Sequence, residues 1–325
     1  MLNEIKTFLG QDWTDAEDLV RSSLSSDIEL LDKTNEAILS SSGKQLRPLI
    51  SLLVARACSG GKANRDSICC AASSELLHNA TLLHDDVADG STERRGVPTV
   101  MSILGGPASV LLGDYWLVKA VGVILSSTKG DRIIRIFAKT LGDLAEGEML
   151  QLQKASCCDT TEEDYYRIIY SKTASLFEAA ATSAAISVDA PEGFIEAVRE
   201  YSVSLGIAFQ IRDDMFDYSD NKLTGKPSGI DLEEQKITLP LLGALSSVPA
   251  ERAEEVRRKL MEIHDRPGYK DEIREFVING GGLEYSAASL KGYVEKAIRA
   301  LDLLPDSKEK DYLVKIADFT AVRNR

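Results

Sequence analysis

The chain lacks an excess of basic residues. Of its 325 residues, 51 are acidic and 38 are basic, which gives a formal net charge of -13 at pH 7. Proteins that bind nucleic acid, or that attach to an anionic membrane through a polybasic segment, present a basic surface to phosphate groups. The composition therefore argues against both classes. It does not exclude an anionic small substrate, because a bound metal ion can invert the local sign of the charge.

The chain also lacks a cysteine pattern typical of disulfides or zinc. It has five cysteines, an odd number, and no two of them are spaced as CxxC: Cys58, Cys69, Cys70, Cys157 and Cys158. Disulfide frameworks are rare in such a pattern, so a reducing compartment is the better interpretation. We expect these cysteines to be small buried apolar residues.

No stretch has the pattern of a signal peptide or a membrane span. The first 18 residues contain neither a basic region nor a long apolar region. The longest run without a charge, Val97–Gly113, is interrupted by two prolines and a glycine pair. It is too short and too broken to cross a bilayer. We therefore expect a soluble, cytoplasmic protein without a transmembrane segment.

Alternating strand patterns between Asn-Gly or Asp-Gly turns are absent, and nearly every segment is typical of a helix. Four segments rich in Ala, Leu and Ser have apolar residues at three-to-four spacing: Leu49–Cys58, Ser109–Leu125, Ala174–Val188 and Ser202–Ile211. Several are apolar almost all round, as the central helices of a large bundle are. No linker is long or low in complexity. The sequence therefore predicts one all-α domain over residues 1–325.

An acidic cluster of the form DDxxD follows the apolar helical run that ends near residue 84. It consists of Asp85, Asp86 and Asp89. On a helix, Asp85 and Asp89 share a face, and like charges at that spacing cost roughly 0.2–0.5 kcal/mol per pair when nothing neutralises them. Taken alone, the motif is explained well enough by a solvated helix end.

The same pattern recurs much later in the chain. Asp213, Asp214 and Asp217 again come just after an apolar helical run. Two such self-repelling clusters are hard to explain as solvated surface. If the two helices face each other, the carboxylates line the mouth of one cavity. Oxygen-rich sites of this kind favour Mg²⁺, which usually bridges protein carboxylates and substrate phosphates.

A di-iron centre is the rival metal site. Its signature in a helical bundle is Glu-x-x-His on each of two helices, with two further glutamates. Glu75 and His78 supply one match, but neither His84 nor His264 has a glutamate three residues before it. Half of the signature is missing, so this alternative is set aside.

Basic residues lie where a phosphate group would be bound. Lys44 and Arg47 precede Pro48, which suits the first turn of a helix, and a helix N-terminus attracts anions. Arg94 and Arg95 follow the first acidic cluster, and arginine offers a planar fork of donors that matches a phosphate edge. Further cationic positions occur beside apolar helices: Lys172 with Thr173, Lys226 and Lys236. The pattern indicates two anion sites, one held through Mg²⁺ and one held directly.

With these motifs in this order, the chain resembles the trans-isoprenyl diphosphate synthases, the polyprenyl synthetase family. The resemblance runs from about Gly43 to the C-terminal VRNR and includes HNATLLHDDVAD, RRGVPTV, SKTASLF, GIAFQIRDDMFDY and TGKPSGIDL. It implies an all-α bundle around a deep central apolar cavity, the isoprenoid synthase fold, usually as a homodimer. It also implies head-to-tail extension of an allylic diphosphate, farnesyl or geranyl, with isopentenyl diphosphate.

The resemblance implies roles for particular residues. The Mg²⁺ ligands, for three ions bound with diphosphate, would be Asp85, Asp89, Asp213 and Asp217. The catalytic set would comprise Asp85, Asp86, Asp89, Arg94, Lys172, Thr173, Gln210, Asp213, Asp214 and Lys226. The allylic diphosphate would be held by Arg94, Lys172, Thr173, Gln210 and Lys226, and the isopentenyl diphosphate by Lys44, Arg47, His78 and Arg95, with Lys236 in the wider substrate-binding set. The chain departs from the family pattern at Gly105–Pro107, where asparagine is common, and at Gln235, where glycine is usual.

Product length is indicated by Ala80 and Thr81, five and four residues before Asp85. In the family a bulky aromatic there resembles a floor for short products, so these small residues predict a product longer than C15, near C40, of the quinone side-chain kind. A geranylgeranyl (C20) product is the alternative, and Ala80 as a simple packing residue is another. A class I terpene cyclase would not repeat DDxxD, and a non-catalytic partner subunit would be expected to have lost acidic residues.

Overall fold

The computed structural model describes residues 1–41, 43–218 and 229–322. Nearly all of these residues are helical, which confirms the predicted all-α class. The α-helices are α1 (Leu2–Leu9), α2 (Gln11–Leu24), α3 (Glu29–Ser40), α4 (Leu46–Ser59), α5 (Arg65–Ala88), α6 (Val100–Leu104), α7 (Gly106–Leu125), α8 (Gly130–Cys157), α9 (Glu162–Ile169), α10 (Ser175–Ser187), α11 (Glu192–Asp217), α12 (Ile230–Glu233), α13 (Leu239–Ser246), α14 (Ala250–Met261), α15 (Gly268–Asn279), α16 (Gly282–Ala300) and α17 (Lys308–Val322).

Three short elements depart from regular α-helix. A π-helix spans Tyr170–Ala174 between α9 and α10, and a 3₁₀-helix spans Leu301–Leu303. A two-residue hairpin pairs β1 (Glu93–Arg94) with β2 (Val97–Pro98) in antiparallel register. The sequence predicted neither the π-helix nor the hairpin. Both carry residues of the candidate site.

The described residues divide into two compact units. Unit 1 comprises Met1–Ala138, Ala179–Val198 and Leu303–Leu313. Unit 2 comprises Lys139–Glu178, Arg199–Asp302 and Val314–Arg325. That the chain forms a single domain stays a prediction. The first acidic cluster belongs to unit 1 and the second to unit 2, so the expectation that they share one cavity also stays a prediction.

Helix α5 is the central helix of unit 1. It is buried along most of its length and packs against α7, α4 and α2. Its start is fixed by Asn64, whose side chain accepts a hydrogen bond from the Ser67 N–H in a capping box. Two residues after Asn64, Asp66 accepts a hydrogen bond from the Thr128 N–H at 3.0 Å, which ties α5 to the loop after α7. The C-terminal end of α5 carries the first acidic cluster.

In unit 2, α13 is buried from Leu239 to Leu245 and packs against α16 and α15. The approach to α16 is close: a methyl group added at Gly282 would lie 2.1 Å from the carbonyl oxygen of Pro240. Glycine at this position therefore lets the two backbones meet. Helix α11, which carries the second acidic cluster, also approaches its neighbour at a glycine. A methyl group added at Gly206 would lie 2.5 Å from the Cα of Ala174 in the π-helix.

Helix α7 is long and apolar enough to cross a membrane by length and composition. It includes the charged residues Asp114 and Lys119, and its inner face packs along α5. The length and composition of α7 are therefore weak evidence for a membrane span. Its outer face leaves Leu111 70% exposed and Val118 67% exposed. These two residues are seven apart and lie on one side of the helix.

The cysteine prediction is right for three positions and wrong for one. Cys69, Cys70 and Cys158 are buried thiols, and Cys58 is partly buried. Cys157 is exposed, because it is the last residue of α8 and the chain leaves the helix there.

Candidate active site

The first acidic cluster lies at the C-terminal end of α5. Asp86 is buried, Asp85 is half-buried and Asp89 is exposed, so the three carboxylates differ in their access to solvent. The Asp89 N–H donates to the Asp85 carbonyl at 2.8 Å, and the Ser91 N–H donates to the Asp86 carbonyl at 2.9 Å. These bonds complete the last turn and leave the side chains of Asp85 and Asp89 four residues apart on one face.

Arg94 neutralises the buried member of this cluster. Its Nε donates to Oδ1 of Asp86 at 2.8 Å, and its Nη2 lies 2.8 Å from the same oxygen. Asp86 therefore has a cation of its own, whereas the metal role was predicted for Asp85 and Asp89. Arg94 is on β1, so the hairpin that the sequence did not reveal is what brings it to Asp86.

Arg95 is held at the turn of this hairpin. It has a left-handed φ of 55°, and Gly96 follows with φ 79°, as two-residue hairpin turns require. Its guanidinium lies against the backbone of Gly43: a methyl group added there would be 2.5 Å from the Arg95 Cζ. The turn thus brings Arg95 to the segment that leads into α4, where Lys44 precedes the helix and Arg47 lies in its first turn. These three residues were predicted to bind one diphosphate.

The electrostatics of this part of unit 1 favour an anion. Burial, and the positive charges of Arg47, Arg95 and Arg94, lower the pKa of His78 well below its usual value. Burial lowers the pKa of Arg47 to about 10 and lowers that of Arg95 as well. An imidazole that remains neutral beside clustered guanidinium groups can donate or accept a hydrogen bond without adding charge.

Glu75 supplies negative charge to the same cluster, and sequence reasoning had considered it only as an iron ligand. It is buried on α5, and its Oε1 accepts a hydrogen bond from the Asn79 amide at 3.2 Å. Burial raises its pKa, while the charges of Arg47 and Arg95 oppose that rise. One buried carboxylate offsets only part of the positive charge of Arg47 and Arg95, so a bound diphosphate would neutralise the rest.

The second acidic cluster is tied into a hydrogen-bonded chain within unit 2. Thr173 donates to Oε1 of Gln210 at 2.7 Å, and Gln210 Nε2 donates to Oδ1 of Asp214 at 2.8 Å. The hydroxyl of Tyr165 donates to the other oxygen, Oδ2 of Asp214, at 2.7 Å. The structure therefore brings together Thr173 and Gln210, which were predicted as a set, and links them to the middle aspartate of the DDxxD motif.

Burial is the largest influence on the pKa of Asp214, the middle aspartate of the motif. It raises the pKa of Asp214 to about 7, while the hydrogen bonds from Tyr165 and Gln210 act in the opposite direction. Burial also raises the pKa of Tyr165 well above its usual value, so the phenol keeps its proton and serves as a donor. Asp213, the first aspartate, is half-buried.

Lys172 and Thr173 are placed by the π-helix. The wider turn is accommodated because α8 and α11 offer glycines: a methyl group added at Gly147 would lie 2.5 Å from the Ser171 Cβ, and one at Gly206 would lie 2.5 Å from the Ala174 Cα. π-Helical turns are rare and occur often at functional sites. Lys172 forms an ion pair with Glu148 of α8.

Asp217 is both a predicted metal ligand and a helix cap. Its Oδ1 accepts from the Ile230 N–H at 3.0 Å, and its Oδ2 accepts from the Asp231 N–H at 3.1 Å. Each oxygen keeps further acceptor capacity. Burial, together with the negative charges of Asp214 and Asp217, raises the pKa of Asp231 well above its usual value, and Lys236 opposes that rise. Lys236 also forms an ion pair with Glu234.

Lys226, Ala80 and Thr81 complete the predicted set of site residues. Lys226 lies outside the described residues. Ala80 is buried on α5, with 1% exposure, whereas Thr81 keeps accessible surface and donates its hydroxyl hydrogen to the His78 carbonyl at 2.8 Å. Of this pair, only Thr81 presents surface that a product chain could contact.

The carboxylates fit Mg²⁺ through the chemistry of the donor set. Among the described residues, no three His, Cys, Asp or Glu side chains form a group that could hold a metal ion. A zinc site needs three or four protein ligands, so the described carboxylates do not match one. Mg²⁺ binds through one or two carboxylates and takes its other oxygens from water and substrate phosphates. Pairs such as Asp85 with Asp89 are suited to that role.

Three residues of the site were missed by sequence reasoning: Tyr165, Glu148 and Asp231. Tyr165 lies in an ordinary amphipathic helix, and nothing in its neighbourhood indicates a partner 49 residues away. Asp231 lies within the TGKPSGIDL segment and Glu148 lies in α8, but neither has a spacing that singles it out. Their partners are set by packing of separate helices.

Known proteins match this chain over most of its length. The family model described as polyprenyl synthetase matches residues 28–277. The octaprenyl diphosphate synthase of Haemophilus influenzae is 37% identical over 324 residues, which cover 99% of this chain and 97% of that protein.

Solved structures are similar over the whole chain. A polyprenyl synthase from Caulobacter crescentus CB15, complexed with calcium and isoprenyl diphosphate, has a TM-score of 0.90 and 33% identity, with 100% of this chain and 98% of that chain covered. A decaprenyl diphosphate synthase from Rhodobacter capsulatus has a TM-score of 0.91 and 33% identity, with 100% of both chains covered.

Proposed function

Because the chain belongs to the polyprenyl synthetase family and is a transferase of prenyl groups with the all-α isoprenoid synthase fold, we propose that it makes a long-chain all-trans polyprenyl diphosphate. The reaction is the head-to-tail condensation of isopentenyl diphosphate with an allylic diphosphate, farnesyl or geranyl. The product is about C40 and serves as a quinone side chain. The observation that carries the reaction type is the DDxxD motif at the end of α5 and again at the end of α11. Cationic side chains occur in both units: Arg94 pairs with Asp86 in unit 1, and Lys172 lies on the π-helix in unit 2.

Mg²⁺ would be held by Asp85 and Asp89 in unit 1 and by Asp213 and Asp217 in unit 2. Three ions bound with the diphosphate is the stoichiometry we propose. When bound, Mg²⁺ supplies positive charge that stabilises the departing diphosphate. The calcium in the Caulobacter crescentus complex, a hard divalent cation that takes oxygen ligands, supports this choice.

The cationic side chains bind the allylic diphosphate and stabilise its charge as it leaves. Lys172, Arg94 and, outside the described residues, Lys226 fill this role. The C–O bond of the allylic substrate breaks, its electron pair stays on the diphosphate, and an allylic cation forms. The oxygens of Thr173 and Gln210 face this cation, while apolar walls exclude water that would trap it.

Isopentenyl diphosphate is positioned by the second set of side chains. Lys44, Arg47, His78 and Arg95 bind its diphosphate, so that its double bond is directed at the cation. The double bond attacks, a C–C bond forms, and the released diphosphate accepts the proton whose loss restores a double bond. Lys236 contributes positive charge near the second cluster.

Chain length is the finer part of the proposal. The octaprenyl and decaprenyl synthases that this chain resembles over its full length support a long product. Thr81, small and accessible one turn before Asp85, leaves room for a growing chain. A C20 product remains the competing outcome.

We further propose a soluble, cytoplasmic homodimer. The outer face of α7 exposes Leu111 and Val118 strongly, and Leu125 at the end of the helix is also exposed. Burial of such a stripe against a second copy would gain about 25 cal/mol per Å² of apolar area. A homodimer predicts a concentration-independent mass of two chains in sedimentation.

The test is to incubate the purified protein with farnesyl diphosphate, radiolabelled isopentenyl diphosphate and MgCl₂, and to size the products. Products near C40 that disappear with EDTA and return with excess Mg²⁺ support the proposal. A ceiling at C20 overturns the long-chain part. Turnover of the allylic diphosphate without isopentenyl diphosphate would instead indicate a terpene cyclase. Activity that needs an added partner would indicate a modulating subunit.

A further inference from the structure

Tyr165 makes a buried contact with the second acidic motif. Its side chain is 3% exposed, and its hydroxyl donates to Oδ2 of Asp214 at 2.7 Å. The other carboxylate oxygen, Oδ1, accepts from Gln210 Nε2 at 2.8 Å. Each oxygen of Asp214 therefore has its own donor. With both oxygens engaged by groups on different helices, the carboxylate plane is fixed.

The fixed carboxylate determines the orientation of the Gln210 amide. In the structure the NH₂ group of Gln210 faces Asp214, and Oδ1 of Asp214 accepts its hydrogen bond at 2.8 Å. The amide oxygen is then turned the other way, toward Thr173. The flipped amide would place two oxygens against each other at 2.8 Å and would leave the NH₂ group at the Thr173 hydroxyl.

The orientation of Gln210 in turn determines the direction of the Thr173 hydroxyl. The amide oxygen can only accept, and Thr173 Oγ1 lies 2.7 Å from it, so Thr173 donates its single hydroxyl hydrogen to Gln210. The two lone pairs of Thr173 Oγ1 are left for other partners. A lone pair stabilises a neighbouring positive charge, whereas a hydroxyl hydrogen directed at the same place would destabilise it.

We propose that Tyr165 is a positioning residue for prenyl transfer: by fixing Asp214 it sets the direction of the Asp214–Gln210–Thr173 chain, so that oxygen lone pairs and not a hydroxyl hydrogen face the allylic cation. This inference rests on the proposed condensation reaction. Tyr165, which is 3% exposed, acts through Asp214 and not as a catalytic group of its own. Its effect reaches the cation through three consecutive hydrogen bonds.

The fixed direction matters most during ionisation. The allylic cation exists only after the C–O bond breaks, so dipoles that are already oriented avoid the cost of turning at that moment. Without the Tyr165 hydroxyl, Oδ2 of Asp214 would be buried without its donor, and the carboxylate could rotate toward Gln210. The amide and the Thr173 hydroxyl would then populate other orientations.

The test is a double-mutant cycle between Tyr165→Phe and Thr173→Val in the condensation assay. Tyr165→Phe keeps the ring and removes only the hydroxyl, and we expect kcat to fall about tenfold, the loss typical of one hydrogen bond to a charged group. The KM for isopentenyl diphosphate should stay within about twofold of wild type, because that diphosphate is bound by other side chains. In the Thr173→Val background, which has no hydroxyl to orient, Tyr165→Phe should have almost no further effect on kcat.

Tyr166→Phe is the matched control. Tyr166 neighbours Tyr165, with ring centroids 5.4 Å apart, and it packs on Tyr293 and not on the acidic motif. We expect Tyr166→Phe to leave kcat within about twofold of wild type, since it removes the same atom from the same helix outside the chain of hydrogen bonds.

The outcomes separate this inference from the proposed function. An inactive wild-type protein would refute the condensation reaction. With an active wild type, an unchanged kcat in Tyr165→Phe, or an equal fold-loss in both backgrounds of the cycle, would overturn the positioning role. If Tyr165→Phe does not fold, Tyr165→Phe with Asp214→Asn removes the donor and the buried charge together, and the same cycle with Thr173→Val decides the question.

Discussion

The backbone of Ala174 packs directly on Gly206, so closely that a methyl group at Gly206 would lie 2.5 Å from the Ala174 Cα. Thr173 is the preceding residue and forms its 2.7 Å bond to Gln210, one turn along α11 from Gly206. The contact between two backbones thus sets the distance on which the Thr173–Gln210 bond depends. Neither side can move away by a simple rotamer change.

Gly206→Ala should therefore lower activity through geometry. The added methyl group would push the π-helix from α11 and lengthen the bond between Thr173 and Gln210. We expect kcat to fall by about tenfold or more, because a displacement near 1 Å at a reacting centre is costly. Steady-state kinetics with farnesyl and isopentenyl diphosphate measure the change.

Gly142→Ala is the control on a neighbouring helix. A methyl group at Gly142 of α8 meets no atom within 4 Å among the described residues. Alanine is about 1 kcal/mol more favourable than glycine in a helix interior, so this variant should be as active as wild type and slightly more stable. Equal activity of Gly206→Ala and Gly142→Ala would show that the close packing has no influence on the site.

Sequence reasoning was strongest where the signal lies within one element. Periodicity gave the helices, and local spacing gave the two aspartate clusters at the ends of α5 and α11, since both patterns depend on residues a few positions apart.

The rest depends on tertiary contacts that no local pattern encodes. Arg95 reaches Gly43 because a hairpin with two paired residues in each strand forms between α5 and α6. These strands are too short for an alternating apolar and polar pattern to appear in the sequence. Tyr165 donates to Asp214 because α9 and α11 pack together. Ala80 is buried on α5, and a single alanine carries no sign in the sequence of what it packs against, so its role in product length stays a prediction.

Gly43→Ala should weaken binding of isopentenyl diphosphate. The new methyl group would occupy the place of the Arg95 guanidinium, with 2.5 Å to its Cζ, and Arg95 would have to move. If Arg95 binds the diphosphate, the KM for isopentenyl diphosphate should rise about tenfold, a loss typical of one charge-assisted contact. The KM for farnesyl diphosphate and the unfolding midpoint should change little. An unchanged KM for isopentenyl diphosphate would remove Arg95 from that binding set.

Thr81→Phe should shorten the product. Thr81 keeps accessible surface one turn before Asp85, and a phenyl ring there would block a chain that grows past it. We expect the longest product to fall to C20 or below, measured by sizing the labelled products. Thr81→Val, which matches threonine in shape, should leave the distribution unchanged. Long products from Thr81→Phe would place the floor of the tunnel on another helix.

Asp66 should make stability depend on acid pH. Hydrogen bonds from Thr128 and Ser127 lower its pKa below the ordinary 3.8, although burial opposes them. A carboxyl whose pKa is lowered on folding contributes stability above its unfolded pKa, and this contribution is lost as the pH falls through the folded pKa. Asp66→Asn should therefore lower the free energy of unfolding by about 1–2 kcal/mol at pH 7. The difference from wild type should shrink as the pH falls below 3.8.

Denaturant unfolding across this pH range measures the effect. Thr128→Ala removes the side-chain donor to Asp66. In that background, Asp66→Asn should cost less than it does in wild type, because the two changes remove one interaction. A pH-independent cost of Asp66→Asn would show that the carboxylate charge is not what stabilises the contact.

Gln235 offers a test of backbone strain beside the second cluster. It has a left-handed φ of 56°, a conformation that costs a non-glycine residue about 1–2 kcal/mol. Its side chain offsets this by donating to the carbonyls of Leu260 at 3.2 Å and Met261 at 3.1 Å. Gln235→Ala keeps the strain and loses both bonds, whereas Gln235→Gly loses the bonds and relieves the strain. We expect glycine to be more stable than alanine by about 1 kcal/mol, measured by denaturant unfolding.

The same pair of variants connects this turn to activity. Lys236 follows Gln235 and forms its ion pair with Glu234, so the position of its ammonium group depends on this turn. Because glycine adopts the left-handed conformation without strain, Gln235→Gly should keep Lys236 in place and retain near wild-type kcat. Gln235→Ala, which is strained and has lost its anchor to α14, should lose activity along with stability. If both variants lose activity equally while differing in stability, the side-chain bonds to α14, and not the backbone conformation, position Lys236.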